Sequence, residues 1–295
     1  MSSTIFNYFH FTFNLTFVST SARVSAVTRP GDRPLGLGWA GGVLLGASPI
    51  PVYQGKVHTP QYLINPLITT ELVHLCAGPS GAGKTRWLLP TIQNLWRRGK
   101  DVLGHRSYPV PWAYVVMDRP YTSVEATLLS LDIDPLMINV IPGMDLGYKS
   151  ISQVVDHAKG LGAKFLLIEM FSYLLQGTET RDSVRDFMGA VQRLLCDESM
   201  TILGTMESPK MKPKDVYKNP RQRISGPASW GHCGETIILV EPNPKLGEDS
   251  PYRQISIHTR NGRPEIFHFE FRKDGQLHQT KAPVIERKTK IALEK

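Results

Sequence analysis

A chain of 295 residues with 41% hydrophobic and 20% charged side chains suits one large α/β domain, or one domain with extensions, and is long enough to bury a substantial core. The formal charge of +8 favours a polyanionic partner, and the excess is concentrated late. Six basic residues oppose Asp215 alone in 208–224, a local +5, and ten oppose five in 251–295. Cys76, Cys196 and Cys233 lie too far apart for a zinc site or a disulfide framework. Cys76 in an apolar run and Cys196 in a helical pattern read as buried small hydrophobes in a reducing compartment.

Residues 1–55 differ from the rest. The Phe-rich stretch 5–18 is too short and polar to span a bilayer, and no Lys or Arg precedes Arg23 to make a signal-peptide n-region. With the Pro- and Gly-punctuated run 29–46 it is expected to be an N-terminal extension with little order, and no membrane association is expected. A regular domain over 56–280 and a basic tail over 281–295 follow, without internal repeats.

Within the domain, 71–77 (ELVHLCA) predicts a buried parallel strand that runs into a glycine loop. A helix over 86–98 carries Leu88, Ile92 and Leu95 at helical spacing, with a kink expected at Pro90. Strand 112–117 ends at Asp118; a helix over about 123–131 and a short strand 138–141 come next. Helix 152–161 leads to strand 164–168, which ends at Glu169. An amphipathic helix over 182–196 presents Val184, Phe187, Met188, Val191 and Leu194/Leu195 on one face. Strands 200–204 and 236–240 follow, and 254–258 and 266–271 alternate as an antiparallel pair would. This order predicts an α/β fold: a mostly parallel sheet covered by helices on both faces, with antiparallel strands added near the C-terminus.

Gly78-Pro79-Ser80-Gly81-Ala82-Gly83-Lys84-Thr85 fills every fixed position of a P-loop between a strand and a helix. Its glycines let backbone N–H groups approach phosphates, and the helix start favours anionic oxygens. With Arg86 beside it, the loop is expected to bind ATP; Lys84 reaches the β- and γ-phosphates and Thr85 ligates magnesium. Such a site also needs acids at neighbouring strand ends, one for the metal and one for the attacking water. Asp118 and Glu169 stand at such ends, although a helix cap is an equal reading of Asp118 taken alone.

The order of elements over roughly 60–275 resembles the RecA-like ATPase core, in particular the branch of DnaB- and RepA-type hexameric replicative helicases. Five stretches carry the resemblance. Pro66-Leu67-Ile68 precedes the first strand, and 78–85 is the Walker A loop. Residues 114–120 (YVVMDRP) resemble the strand bearing the family's catalytic acid, with Asp118 where Glu is usual. Residues 165–171 (FLLIEMF) resemble Walker B, with Glu169 where Asp is usual. Residues 202–210 (ILGTMESPK) resemble the strand that senses the γ-phosphate, with Thr205, Met206 and Glu207 where a His is common. Residues 221–240 resemble the segment whose arginine acts on the neighbouring subunit's nucleotide. The resemblance implies Glu169 as a magnesium ligand, Asp118 or Glu207 as the base, and Arg223 or else Arg221 as the finger. It also implies a hexameric ring in a prokaryotic or phage-infected cytoplasm, working with replication partner proteins.

In such motors the loop after the γ-phosphate-sensing strand faces DNA, and here it is the basic segment. Lys210, Lys212, Lys214 and Lys218 suit a phosphate backbone, and Tyr217 a stacked base of single-stranded DNA. Besides a helicase, a filament-forming recombinase or single-strand-binding ATPase, and a regulatory P-loop ATPase acting on proteins, remain open.

Overall fold

The computed structural model describes residues 61–209, 219–243, 246, 249–260, 262–272, 275 and 277–283. The 1–55 extension, Lys210, Lys212, Lys214, Tyr217, Lys218 and most of the basic tail lie outside the described residues.

The described residues open with an antiparallel ribbon, β1 (Tyr62–Ile64) and β2 (Ile68–Thr69). Then strands and helices alternate: β3 (Val73–Gly78), α1 (Lys84–Pro90), β4 (Trp112–Val116), α2 (Tyr121–Ser130), β5 (Asn139–Ile141), α3 (Ile151–Gly160), β6 (Phe165–Glu169), α4 (Arg181–Glu198) and β7 (Thr201–Glu207). After β7 come α5 (Ser229–Cys233), β8 (Thr236–Pro242), β9 (Tyr252–Thr259), β10 (Glu265–Phe271) and β11 (Leu277–Thr280). Among the described residues the main sheet has nine strands, in the order β11-β10-β9-β8-β3-β7-β6-β4-β5. From β8 to β5 all pairs are parallel; from β8 to β11 they are antiparallel. The predicted fold class is therefore the observed one.

Period-two alternation divides the core. Cys76, Tyr114, Val116, Phe165 and Leu167 point to the face covered by α1 and α2, where they join Trp87, Leu88, Val124 and Leu128. Their chain neighbours Leu75, Ala77, Ala113, Val115, Leu166 and Ile168 point to the other face, against α3, α4 and Trp230 of α5. Each fully buried aliphatic side chain contributes about 1.5–3 kcal/mol, so both layers are needed to hold the central strands. Burial also pushes the Cys76 thiol up to about 12, which makes it an inert part of this core.

Two local departures have clear causes. Helix α1 stops at Pro90 and the chain widens into a π-turn over Thr91–Leu95, then tightens over Trp96–Arg98. Proline cannot donate to the carbonyl four residues back, so the expected kink takes this form. Cys196, expected inside, is exposed. The buried stripe of α4 is Val184, Met188, Val191 and Leu195; Cys196 lies one position, about 100° of helix rotation, beyond it. Among the described residues no helix is long and apolar enough to cross a membrane.

Candidate functional site

Parallel strands bring their carboxyl ends to one edge, and the glycine loop begins there. Registers pair Gly78 with Glu207, Ile168 with Gly204, and Val116 with Glu169, so β3, β7, β6 and β4 deliver their last residues side by side. The same parity that sends Leu167 and Val116 toward α1 places Glu169 and Asp118 on the loop's side of the sheet.

The loop is shaped by its glycines. Gly81 and Gly83 take φ of 75° and 100°, a region where a Cβ is strained. A Cβ at Gly78 would strike the Val240 carbonyl of β8, so the loop can start this close to the sheet only without a side chain. Lys84 turns back and donates to the carbonyls of Gly78 (2.7 Å) and Pro79 (3.3 Å). Burial lowers its ammonium below the usual lysine range, against the opposing pull of neighbouring groups that include Glu207, Glu169 and Asp118. Ser80 and Arg86 are exposed beside the loop.

Glu169 is the hub. Its Oε1 accepts from the Thr85 hydroxyl at 2.6 Å. Its Oε2 accepts from Arg119 at 2.6 Å and from the buried Tyr114 hydroxyl. Arg119 also donates to Tyr114 Oη (3.0 Å) and, through its other amino group, to Thr127 of α2 (3.0 Å). Just after Glu169 the chain turns sharply: Met170 has φ of 55°, and its N–H is held by the Thr205 hydroxyl of β7 at 3.1 Å. Such a left-handed residue is costly in isolation and persists where its surroundings hold it. Asp118 stands at the exposed rim; partial burial, and next Glu169, raise its carboxyl above the ordinary aspartate range. Glu207 is exposed at the end of β7, where its carbonyl accepts from Ser225 N.

The donor set fits magnesium. One hydroxyl and one carboxylate oxygen are hard ligands that leave the remaining positions to phosphate oxygens and water. Among the described residues no group of three or more His, Cys, Asp or Glu forms a metal cage.

The two arginines of the closing segment lie elsewhere. Arg221 donates to the carbonyls of Gly231 (2.8 Å), Gly234 (2.7 Å) and Glu235 (3.1 Å), which caps the end of α5. Arg223 is ion-paired with Glu241 of β8, whose side chain is only 2% exposed. Within this chain both guanidiniums are tied to structure rather than to Glu169. Lys210, Lys212, Lys214, Tyr217 and Lys218 cannot be placed relative to the site, because they lie outside the described residues.

Sequence patterns did not single out five contributors. Tyr114 reads as an ordinary strand residue, and only its parity with Glu169 hints at contact. Arg119 is adjacent to Asp118, a usable signal. Arg253 of β9 has none: it lies within 3.3 Å of the Ala82 carbonyl and stacks 4.8 Å from the Phe271 ring centroid. Phe271 and Leu277 in turn pack on Gly83, and Arg86 donates to the Gly275 carbonyl at 2.8 Å. The antiparallel strands thus brace the loop from the side opposite the acids.

No family model matches the chain, and no curated protein matches it in sequence. Its fold does have known counterparts. A KaiC-like protein of the hyperthermophilic archaeon Pyrococcus horikoshii is similar, with a TM-score of 0.51 at 16% identity, over 73% of this chain and 93% of that one. At that identity the likeness establishes the RecA-like fold, and the chemistry rests on the residues themselves.

Proposed function

We propose that the chain is an ATP- and magnesium-dependent DNA motor, a ring-forming replicative helicase of phage or plasmid type. The observation that carries the nucleotide part is the Thr85–Glu169 hydrogen bond. It joins the loop's last hydroxyl to a strand-end carboxylate across 84 residues of sequence. Lys84 binds the β- and γ-phosphates by exchanging its carbonyl partners for them. Glu169, held at one oxygen by Arg119 and Tyr114, keeps its other oxygen fixed at Thr85. Magnesium, held there by Thr85 and Glu169, would neutralise phosphate charge.

In hydrolysis the water oxygen bonds to the γ-phosphorus, and the bond from that phosphorus to the bridging oxygen breaks. The electron pair stays on ADP, and the water proton passes to the Asp118 carboxylate, with Glu207 as the alternative base. The products are ADP and inorganic phosphate. The raised pKa of Asp118 suits a proton acceptor better than an ordinary surface aspartate would.

The DNA part rests on the basic segment 208–224 and on the resemblance to ring helicases, in which that segment faces the strand. Phosphate release measured with and without single-stranded DNA tests it. Stimulation at low salt that fades as salt rises is expected, and its absence at low salt overturns the motor reading. Unwinding of a forked duplex separates helicase from recombinase. The second reading, a regulatory ATPase acting on proteins, is favoured by one observation: Arg221 and Arg223 are both engaged within their own chain. Turnover without any salt-dependent binding of single-stranded DNA would select it.

A further inference from the structure

We propose that Arg119 supplies, from within the subunit, the guanidinium that faces the transferred phosphoryl group. The inference rests on the ATPase reading and adds a catalytic residue to it. Arg119 and the Thr85 hydroxyl grip opposite oxygens of one carboxylate. That places the guanidinium no more than about 7 Å from the hydroxyl that marks the metal and γ-phosphate end of the site.

Its orientation is set from behind. Thr127 accepts from Nη1 and Tyr114 and Glu169 from Nη2, while Nε is buried with no partner among the described residues. A planar cation held on two sides, 23% exposed and with the second Nη1 hydrogen uncommitted, is preorganised for a phosphoryl oxygen.

Charge points the same way. Glu169 and Glu207 end strands at this edge, Asp118 follows β4 by two residues, and Lys84 is the loop's own cation. A triphosphate entering with Lys84 alone would face three carboxylates. Arg119 offsets one of them at rest, and it lies beside the phosphate whose charge grows in the transition state. Arg221 and Arg223, the sequence candidates for a guanidinium that acts on a neighbouring subunit's nucleotide, are bonded within this chain to carbonyls at the end of α5 and to Glu241.

The test compares ground-state and transition-state ligands. For Arg119→Ala, ADP affinity by fluorescent-nucleotide displacement should stay within about threefold, while the magnesium–ADP–aluminium fluoride complex weakens by about 10²-fold or more. kcat should fall by a similar factor with little change in KM, and Arg119→Lys should recover part of it. Thr127→Val, outside the nucleotide site, frees Nη1 while Glu169 and Tyr114 still hold Nη2, and should give a smaller fall with the same kcat-only signature. An analogue affinity unmoved by Arg119→Ala, in a protein that still hydrolyses ATP, overturns this inference alone. Equal losses of ADP and analogue binding in both the Ala and Lys variants assign Arg119 a structural role and overturn it too. Wild-type protein that binds no ATP overturns the ATPase reading along with it.

Discussion

The parallel and antiparallel halves of the sheet meet the glycine loop on opposite sides and do different work there. The parallel half delivers polar groups: Glu169 and Glu207 at strand ends, Asp118 just beyond β4, Lys84 and Thr85 in the loop. The antiparallel half delivers packing, with Phe271 and Leu277 on Gly83, Arg253 near Ala82, and Gly275 bonded to Arg86. Parallel strands converge their ends at one edge, whereas antiparallel strands alternate direction and lend the loop their sides. A site needs both, because ligands are useful only if the loop that carries them cannot drift.

Four experiments would break or sharpen this division. Lys84→Ala should reduce phosphate release by about 10³-fold or more, since it removes the loop's only cation directed at the phosphates. Retained turnover would mean that the parallel half does not carry the chemistry. Arg223→Ala should cost about 3–5 kcal/mol in denaturant unfolding, because Glu241 would remain buried without its cation. If stability holds while turnover disappears, the guanidinium acts on nucleotide rather than within the core.

His74 offers a probe of the central strand. It is fully buried, bonds the Thr69 carbonyl at 2.8 Å, and burial lowers its pKa from 6.5 to about 4. A depressed histidine pKa means that the unfolded chain binds the extra proton first. Stability is therefore unaffected above pH 6.5, falls as pH drops below it, and the loss saturates below about 4, reaching about 3 kcal/mol. His74→Gln should lack this component when unfolding is followed across that range; a parallel pH profile in the variant would contradict it. The smallest effect belongs to Phe271→Ala. As a half-buried ring it should cost about 2 kcal/mol and loosen nucleotide binding several-fold by equilibrium titration. An unchanged affinity would confine the antiparallel half to stability.

Much of this was legible in residue order. The loop 78–85 lies between the expected strand and helix; β6 ends at Glu169 as expected, and β4 ends at Val116, two residues before Asp118. Boundaries shifted where local chemistry intervened, as at Pro90, or where helix phase decided exposure, as at Cys196. Arg221 and Arg223 show the limit most clearly. They stand two residues apart in a segment that resembles a finger-bearing one, yet one caps a helix and the other pairs with a strand glutamate. Sequence spacing cannot separate these fates, because the partners are carbonyls and a carboxylate 10 to 18 residues away.

The sequence by itself determined the glycine loop, the alternation of strands and helices, and the parity that turns Glu169 and Asp118 toward the loop. These are local or periodic properties, set by dihedral freedom and by which face each side chain takes. Only the tertiary structure decided what Glu169 touches, that Tyr114 and Arg119 hold it, and that Phe271 and Arg253 brace the loop from the far side. Those contacts join residues 50 or more positions apart, and strand order, which no local pattern encodes, is what makes them neighbours.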